Sequence, residues 1–201
     1  ALGIRRADIH PRVSDHIPEI IMVIEGLIEK GYAYEIDGNV YYRVKAFPGY
    51  GKLSGRSLDE MLAGARVEVD ERKEEAADFA LWKKAKEGEP RWPSPWGEGR
   101  PGWHIECSAM GTKYLGEYFD IHTGGTDHIP VHHTNERAQN IGAFGHPVVK
   151  YWIHNEWLVN KDDGKLSKSS GNSPYLPTLI ELGFNPMDVR YLLLSINYRT
   201  R

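Results

Sequence analysis

The chain has 201 residues, 40% hydrophobic and 26% charged, the make-up of one globular domain or one domain carrying a smaller insert. No apolar run approaches the length that crosses a bilayer, so no membrane partner is expected. The formal net charge of -3 neither demands nor forbids a nucleic-acid partner, because clustering of Lys and Arg matters more than their sum. The opening ALGIRRADIHPRV lacks a signal-peptide layout and begins without Met, as an excised or processed piece would. Residues 14–31 read as an amphipathic helix, with Ser14 as cap, Ile17, Ile20, Ile21, Ile24, Leu27 and Ile28 at helical spacing, and Gly31 as stop. A hairpin follows, residues 32–36 and 40–44 around Asp37-Gly38. Residues 45–56 are rich in turn formers, 57–63 suit a short helix beginning at Ser57, and 66–70 alternate like an exposed strand. The charged run Glu71–Glu75 reads as a solvated turn.

From Glu87 to Gly102 the composition shifts to Gly, Pro, Trp and charge. With Trp92, Trp96 and Trp103 in or beside it, this stretch reads as an ordered loop that packs on something. A helix is predicted near 104–115, then a strand at 118–122 running into Thr123-Gly124-Gly125-Thr126-Asp127. Strand, glycine turn and helix start in that order form the usual ligand position of an open α/β sheet. A helix near 130–144, a strand at 151–159, a loop over 160–172 and helices near 175–182 and 187–196 complete the chain.

Two groups of residues carry chemistry. Cys107, the single cysteine, cannot form an internal disulfide, which fits a reducing, cytoplasmic setting. His132 and Glu136 lie four apart on a predicted helix and therefore share one face. Sulfur, imidazole nitrogen and carboxylate oxygen are all zinc ligands, although on spacing alone a plain surface or capping pair is the commoner meaning. His133 is expected to point elsewhere, while His104 and His122 flank the group and could meet substrate. The second group is Gly164 to Asn172, where Lys165 and Lys168 stand three apart among Ser167, Ser169 and Ser170. Two point charges and several hydroxyls between glycines suit a loop that stabilises charge on a triphosphate.

GKLSKSSGN resembles the KMSKS signature of class I aminoacyl-tRNA synthetases, with Leu166 in the place of Met, a change that conserves volume and apolar character. Arg100 to Met110 (RPGWHIECSAM) and Phe119 to Gln139 (FDIHTGGTDHIPVHHTNERAQ) are similar to segments of cysteinyl-tRNA synthetases. Where that family usually reads Phe-Pro-His-His-Glu-Asn-Glu, this chain has Pro130-Val131-His132-His133-Thr134-Asn135-Glu136, keeping the His and the Glu.

The resemblance implies an α/β fold, the second half of a split Rossmann-like class I catalytic domain with a small α+β insertion. It places a catalytic-domain segment at 1–36, the insertion at 37–95, and the rest of the nucleotide-binding domain with its KMSKS loop at 96–201. It implies ATP-dependent activation of cysteine, with Mg2+ accompanying ATP, and transfer of the cysteinyl group to tRNA(Cys). Zn2+ would be held by Cys107, His132 and Glu136 together with a further cysteine nearer the N-terminus. Trp103 would line the amino-acid pocket, and Asp127 would meet the substrate ammonium or ribose, with helix capping as its competing role. Gly124 and Gly125 would let backbone approach the adenosine. Lys168 would contact ATP phosphates, with Lys165 in support and Ser167 and Ser169 in the same site. The family's HIGH motif and anticodon-reading region are not in this sequence, so the isolated chain, expected as a monomer, is expected to be inactive. The competing readings are a ligase joining cysteine to an amino-sugar in mycothiol synthesis, and a non-catalytic zinc-binding fragment.

Overall fold

The first helix, α1, runs over Ile17–Glu29, later than a Ser14 cap would start it. Pro18 sits in its first turn, where a missing N–H costs nothing, and residues 13–15 form a separate 3-10 turn ahead of it. Ser14 caps nothing; its hydroxyl donates to the Asp15 carboxylate at 3.2 Å. The other end is as expected. Gly31 adopts φ +78°, its N–H donates to Ile28 O (2.9 Å), and Tyr32 N–H donates to Leu27 O (2.8 Å), the paired bonds of a Schellman stop. The computed structural model describes residues 2–64, 72–159 and 175–200.

Strands β1 (Ala33–Ile36) and β2 (Asn39–Tyr42) close on Asp37 and Gly38, both at positive φ, the two-residue turn whose twist matches paired strands. Beside β2 lies β3 (Phe79–Lys84), and beside β3 lies β4 (Gly99–Pro101), giving an antiparallel sheet in the order β1-β2-β3-β4. The sheet draws β1 from residues before 37 and β4 from residues after 95. Strand β3 has no period-two pattern to reveal it. Leu81 and Trp82 are adjacent yet both fully buried, because the β2–β3 register shifts between Val40 and Tyr41. Gly102 carries the chain from β4 into the next helix; a Cβ there would overlap the Ala80 carbonyl, so the close crossing requires glycine.

The tryptophan loop packs as its composition suggests. Trp92 bridges to Gly99, and the Trp96 ring lies 5.9 Å from that of Trp82. Trp103 does not join it and is 60% exposed. The charged run is also not merely solvated: Arg43 holds Glu74 at 2.9 Å, Lys45 pairs with Glu75, and Glu74 N–H donates to the Tyr34 hydroxyl. Helix α2 (Leu58–Gly64) starts at Ser57 through reciprocal bonds with Glu60, a capping box. The expected strand at 66–70 lies outside the described residues.

Helices α3 (Trp103–Leu115) and α4 (His132–Phe144) pack on each other and on α1. The core beneath them joins Ile20, Ile24 and Leu27 of α1 to Val40, Tyr42, Leu81 and Trp82 of the sheet, each large apolar side chain contributing about 1.5–3 kcal/mol on burial. Strands β5 (Phe119–Gly125) and β6 (Val149–Asn155) form a two-stranded sheet. Gly124 and Gly125 are the extended end of β5, not a turn; the chain turns one residue later, in a 3-10 segment at Thr126–His128.

The chain forms two compact units. One comprises Pro11–His122 with Asp127–Trp152, and the other Ala1–His10, Thr123–Thr126 and Ile153–Arg201. In the second, α5 (Leu176–Glu181) is followed by α6 (Pro186–Ser195), which a capping box of Asn185 and Asp188 starts, and Arg190 ties the N-terminal segment down through Leu2 O and Gly3 O. Among the described residues no helix is long and apolar enough to cross a membrane.

Candidate metal centre

Helix α4 buries an unusual set of groups. His132, His133, Thr134, Asn135, Glu136, Gln139 and Asn140 are all at most 5% exposed. Polar side chains are rarely so buried unless they are paired or functional. The face formed by residues 132 and 136 meets Cys107 from α3. Cys107 Sγ lies 3.6 Å from His132 Nε2, which lies 2.7 Å from Glu136 Oε1, and all three donor atoms fall within 4.8 Å of one another. The structure thus brings together the three residues that the sequence marked.

These donors fit a zinc ion. Glu136 Oε1 is buried and lies 2.7 Å from His132 Nε2, with no other hydrogen-bonding partner among the described residues. A buried carboxylate oxygen facing a sulfur and an imidazole nitrogen is what a metal-binding site presents. Burial works against the Glu136 charge, but the imidazoles of His122 and His132 outweigh it and hold its pKa at about 2. Burial, reinforced by Glu136 and Glu106, pushes the Cys107 thiol up to about 12. The metal-free site is therefore a carboxylate and a protonated thiol.

A second layer orients the first. His122 Nε2 lies 2.9 Å from Glu136 Oε2, leaving Oε1 for a metal. His132 Nδ1 lies 2.7 Å from His104 Nδ1. Burial, helped by His132, lowers His104 to about 4, so His104 is neutral and can accept the His132 Nδ1–H. With a metal on Nε2, that bond would hold His132 in the ligating tautomer. The exposed Trp103 indole stacks on His132 with ring centroids 4.2 Å apart.

Two features escaped the sequence reading. His133 is not turned away from the site. It is 1% exposed, its ring is 4.7 Å from that of His122, and it forms with His122 and Glu136 a second donor group sharing Glu136. Gln139 is fully buried and its amide donates to His104 O (2.9 Å) and Ser108 Oγ (2.8 Å). One turn from Glu136 and bonded on both sides of Cys107, it locks α3 to α4 at the candidate donors. Gln139→Leu should cost about 2 kcal/mol of stability, because it strips partners from buried groups. Thermal unfolding would read this as a melting temperature lower by roughly 4–8 °C; an unchanged midpoint would remove Gln139 from this role.

Asp127, Gly124 and Gly125 are not among the grouped donors. Asp127 begins the unit's second segment in the 3-10 turn, its carboxylate 3.9 Å from His128 Nε2 and 47% exposed, and it caps no helix. Gly124 and Gly125 belong to the other unit. Lys165, Ser167, Lys168 and Ser169 lie outside the described residues.

Known proteins agree with this picture. A family described as tRNA synthetases class I (C) catalytic domain matches residues 1–201. The chain is 59% identical over 200 residues to a cysteine--tRNA ligase of Carboxydothermus hydrogenoformans, covering 99% of this chain and 42% of that protein. It is 59% identical over 200 residues to the enzyme of that name from Pelotomaculum thermopropionicum, covering 100% and 41%, and 56% identical over 199 residues to that of Geobacillus thermodenitrificans, covering 99% and 42%. The chain thus spans about two fifths of the length of these relatives. A solved structure described as a putative arginyl tRNA synthetase from Campylobacter jejuni shares the fold, with a TM-score of 0.56 at 14% identity over 98% of this chain and 35% of that one. A sequence match over every residue, on a fold shared with another synthetase, establishes that the chain belongs to the class I (C) tRNA synthetase catalytic-domain family.

Proposed function

We propose that this chain supplies the cysteine-selecting part of a cysteine--tRNA ligase, which activates cysteine with ATP and transfers it to tRNA. The observation that carries the proposal is the convergence of Cys107 Sγ, His132 Nε2 and the buried Glu136 Oε1. Zinc held there would take the substrate thiolate directly and lower its pKa, a contact that serine's harder hydroxyl matches poorly. A difference in ligand chemistry discriminates far better than a difference of one methylene, so no separate editing step is required.

The chain's own residues have simple tasks in this reading. Glu136 and His132 are pre-oriented by His122 and His104, so that little reorganisation accompanies binding. Trp103, stacked on His132 yet exposed, offers a flat apolar wall that a bound amino acid would cover. Asp127 would offer a carboxylate to the substrate ammonium or ribose, and Gly124 and Gly125 would let the backbone approach adenosine. Lys165, Ser167, Lys168 and Ser169 would stabilise phosphate charge, with Mg2+ accompanying ATP. No protein nucleophile is needed; catalysis is positioning and charge stabilisation. Relatives named for tRNA ligation favour this over the amino-sugar ligase.

Cysteine-dependent ATP–pyrophosphate exchange by the parent protein tests the reading. Exchange is expected with cysteine and not with serine, followed by cysteine attachment to tRNA. Exchange that does not distinguish the two amino acids would overturn the metal-based selection. Charging of an amino-sugar instead of tRNA would overturn the assigned acceptor.

A further inference from the structure

A cleft of about 430 Å3 opens along β2, β3 and β4, and its lining is strongly cationic: Arg72, Lys73, Lys83, Lys84, Lys86 and Arg100. Two acids also line it: Asp78 is committed to groups outside the cleft, and Glu89 is paired within it to Arg100, with Lys86 nearby. The Asp78 carboxylate accepts from Val44 N–H (2.9 Å) and the Tyr34 hydroxyl (2.8 Å). Both Glu89 oxygens face the Arg100 guanidinium, at 3.1 and 3.3 Å. The ammonium groups of Lys73, Lys83, Lys84 and Lys86 make no ion pair or hydrogen bond among the described residues. Arg43, Lys45, Arg91 and Lys113, in the same unit, each pair with a glutamate. A chain with net charge -3 therefore gathers unpaired lysines at one place. Lys83 even stands opposite Arg100 in the β3–β4 register, a like-charge pairing that a sheet tolerates at a cost.

We propose that this cleft docks the phosphodiester backbone of RNA, with Lys83, Lys84 and Lys86 as principal contacts. The proposal rests on the reading that the parent enzyme charges tRNA, and adds where on this chain RNA is held. Phosphate contacts are made by Lys and Arg as charges and need no apolar pocket. An acidic peptide would anchor through buried side chains, and the cleft offers it little: Tyr41 is 3% exposed and already packed against Tyr34, and the other apolar liners are Phe79, Ala80 and Ala85.

The test is binding of a fluorescent RNA hairpin to this chain, followed by anisotropy across a salt series. Substituting Lys83, Lys84 and Lys86 together by Ala should raise Kd at least tenfold near 0.1 M salt. It should also flatten the slope of log K against log salt by about 2, since each lost phosphate contact removes roughly 0.7–0.9. The same three positions as Arg should retain both. Lys45→Ala with Lys113→Ala, which remove paired lysines elsewhere, should change neither. An unchanged slope in the triple Ala variant overturns the proposal. So does polyglutamate binding that weakens equally in that variant, which would indicate a peptide site, or displacement of RNA by millimolar inorganic phosphate, which would indicate a small-anion site. If the parent charges tRNA while the slope is unchanged, only the cleft assignment fails. If the slope falls while the parent charges no tRNA, the enzymatic reading fails instead.

Discussion

Glu136→Gln in the parent enzyme is expected to lower zinc affinity by about 100-fold or more and to erase discrimination between cysteine and serine. Removing a group that merely orients a ligand costs roughly 10–100-fold, and Glu136 is placed as a ligand itself. The substitution keeps shape and volume but replaces a carboxylate, held ionised at about pKa 2, by a neutral amide. Cys107→Ser should act in the same direction, since it removes the soft donor. His122→Asn leaves the donors in place and removes only the brace on Glu136 Oε2, so its effect should stay within the smaller range. Metal content after dialysis against a competing chelator, measured beside thermal unfolding, separates loss of metal from loss of fold. Full zinc retention by Glu136→Gln would exclude Glu136 as a ligand.

Zinc uptake should also depend on pH through Cys107. Its thiol is pushed up to about 12 without metal, whereas a bound cysteine must be a thiolate. Protons and zinc therefore compete for the sulfur, and affinity rises with pH as long as the pH is below that value. Cys107 contributes one released proton, or a tenfold gain in affinity per pH unit. Glu136 adds nothing to this slope above about pH 4, because it is already ionised. Titration of metal-free chain in weakly buffered solution would count the proton, and Cys107→Ser should release one fewer.

The sequence disclosed the candidate donors but not the scaffold that aligns them. An i, i+4 pair on a helix declares its shared face, so spacing alone showed that His132 and Glu136 point to one side, while the metal reading came from the family resemblance. That Cys107 faces them depends on α3 packing against α4. Gln139 enforces that packing, and as a polar residue in a polar helix it carries no pattern that marks it as buried. His133 misled for a related reason. Helical geometry correctly turns it from the Cys107 side, but β5 brings His122 to the face it does occupy. Elements with strong local chemistry were readable: the Gly31 stop, the Asp37-Gly38 turn and the Ser57 cap. Those set by tertiary contact were not. Strand β3 loses its alternation to a register shift, and Gly124-Gly125 stays extended because the strand continues through it.

Lys168→Ala in the parent enzyme is expected to lower the rate of cysteine activation by about 100-fold or more while leaving cysteine affinity within about twofold. Charge on the pyrophosphate grows as the α–β phosphate bond breaks. A cation aimed at it therefore stabilises the transition state more than bound ATP, and its loss falls on kcat rather than on binding. Removal of one such preorganised donor typically costs 10²–10³-fold. On the proposed reading cysteine affinity would be set by the substrate thiolate and the candidate metal donors of α3 and α4, so it should not follow. Lys165→Ala should have the smaller effect, in keeping with a supporting role, and Lys168→Arg should recover part of the rate because it restores the charge with a bulkier, planar head. Single-turnover formation of cysteinyl-adenylate distinguishes these outcomes from slow product release. A rate for Lys168→Ala within twofold of the parent, or a loss confined to the KM for cysteine, would refute the assignment of this lysine to the departing phosphates.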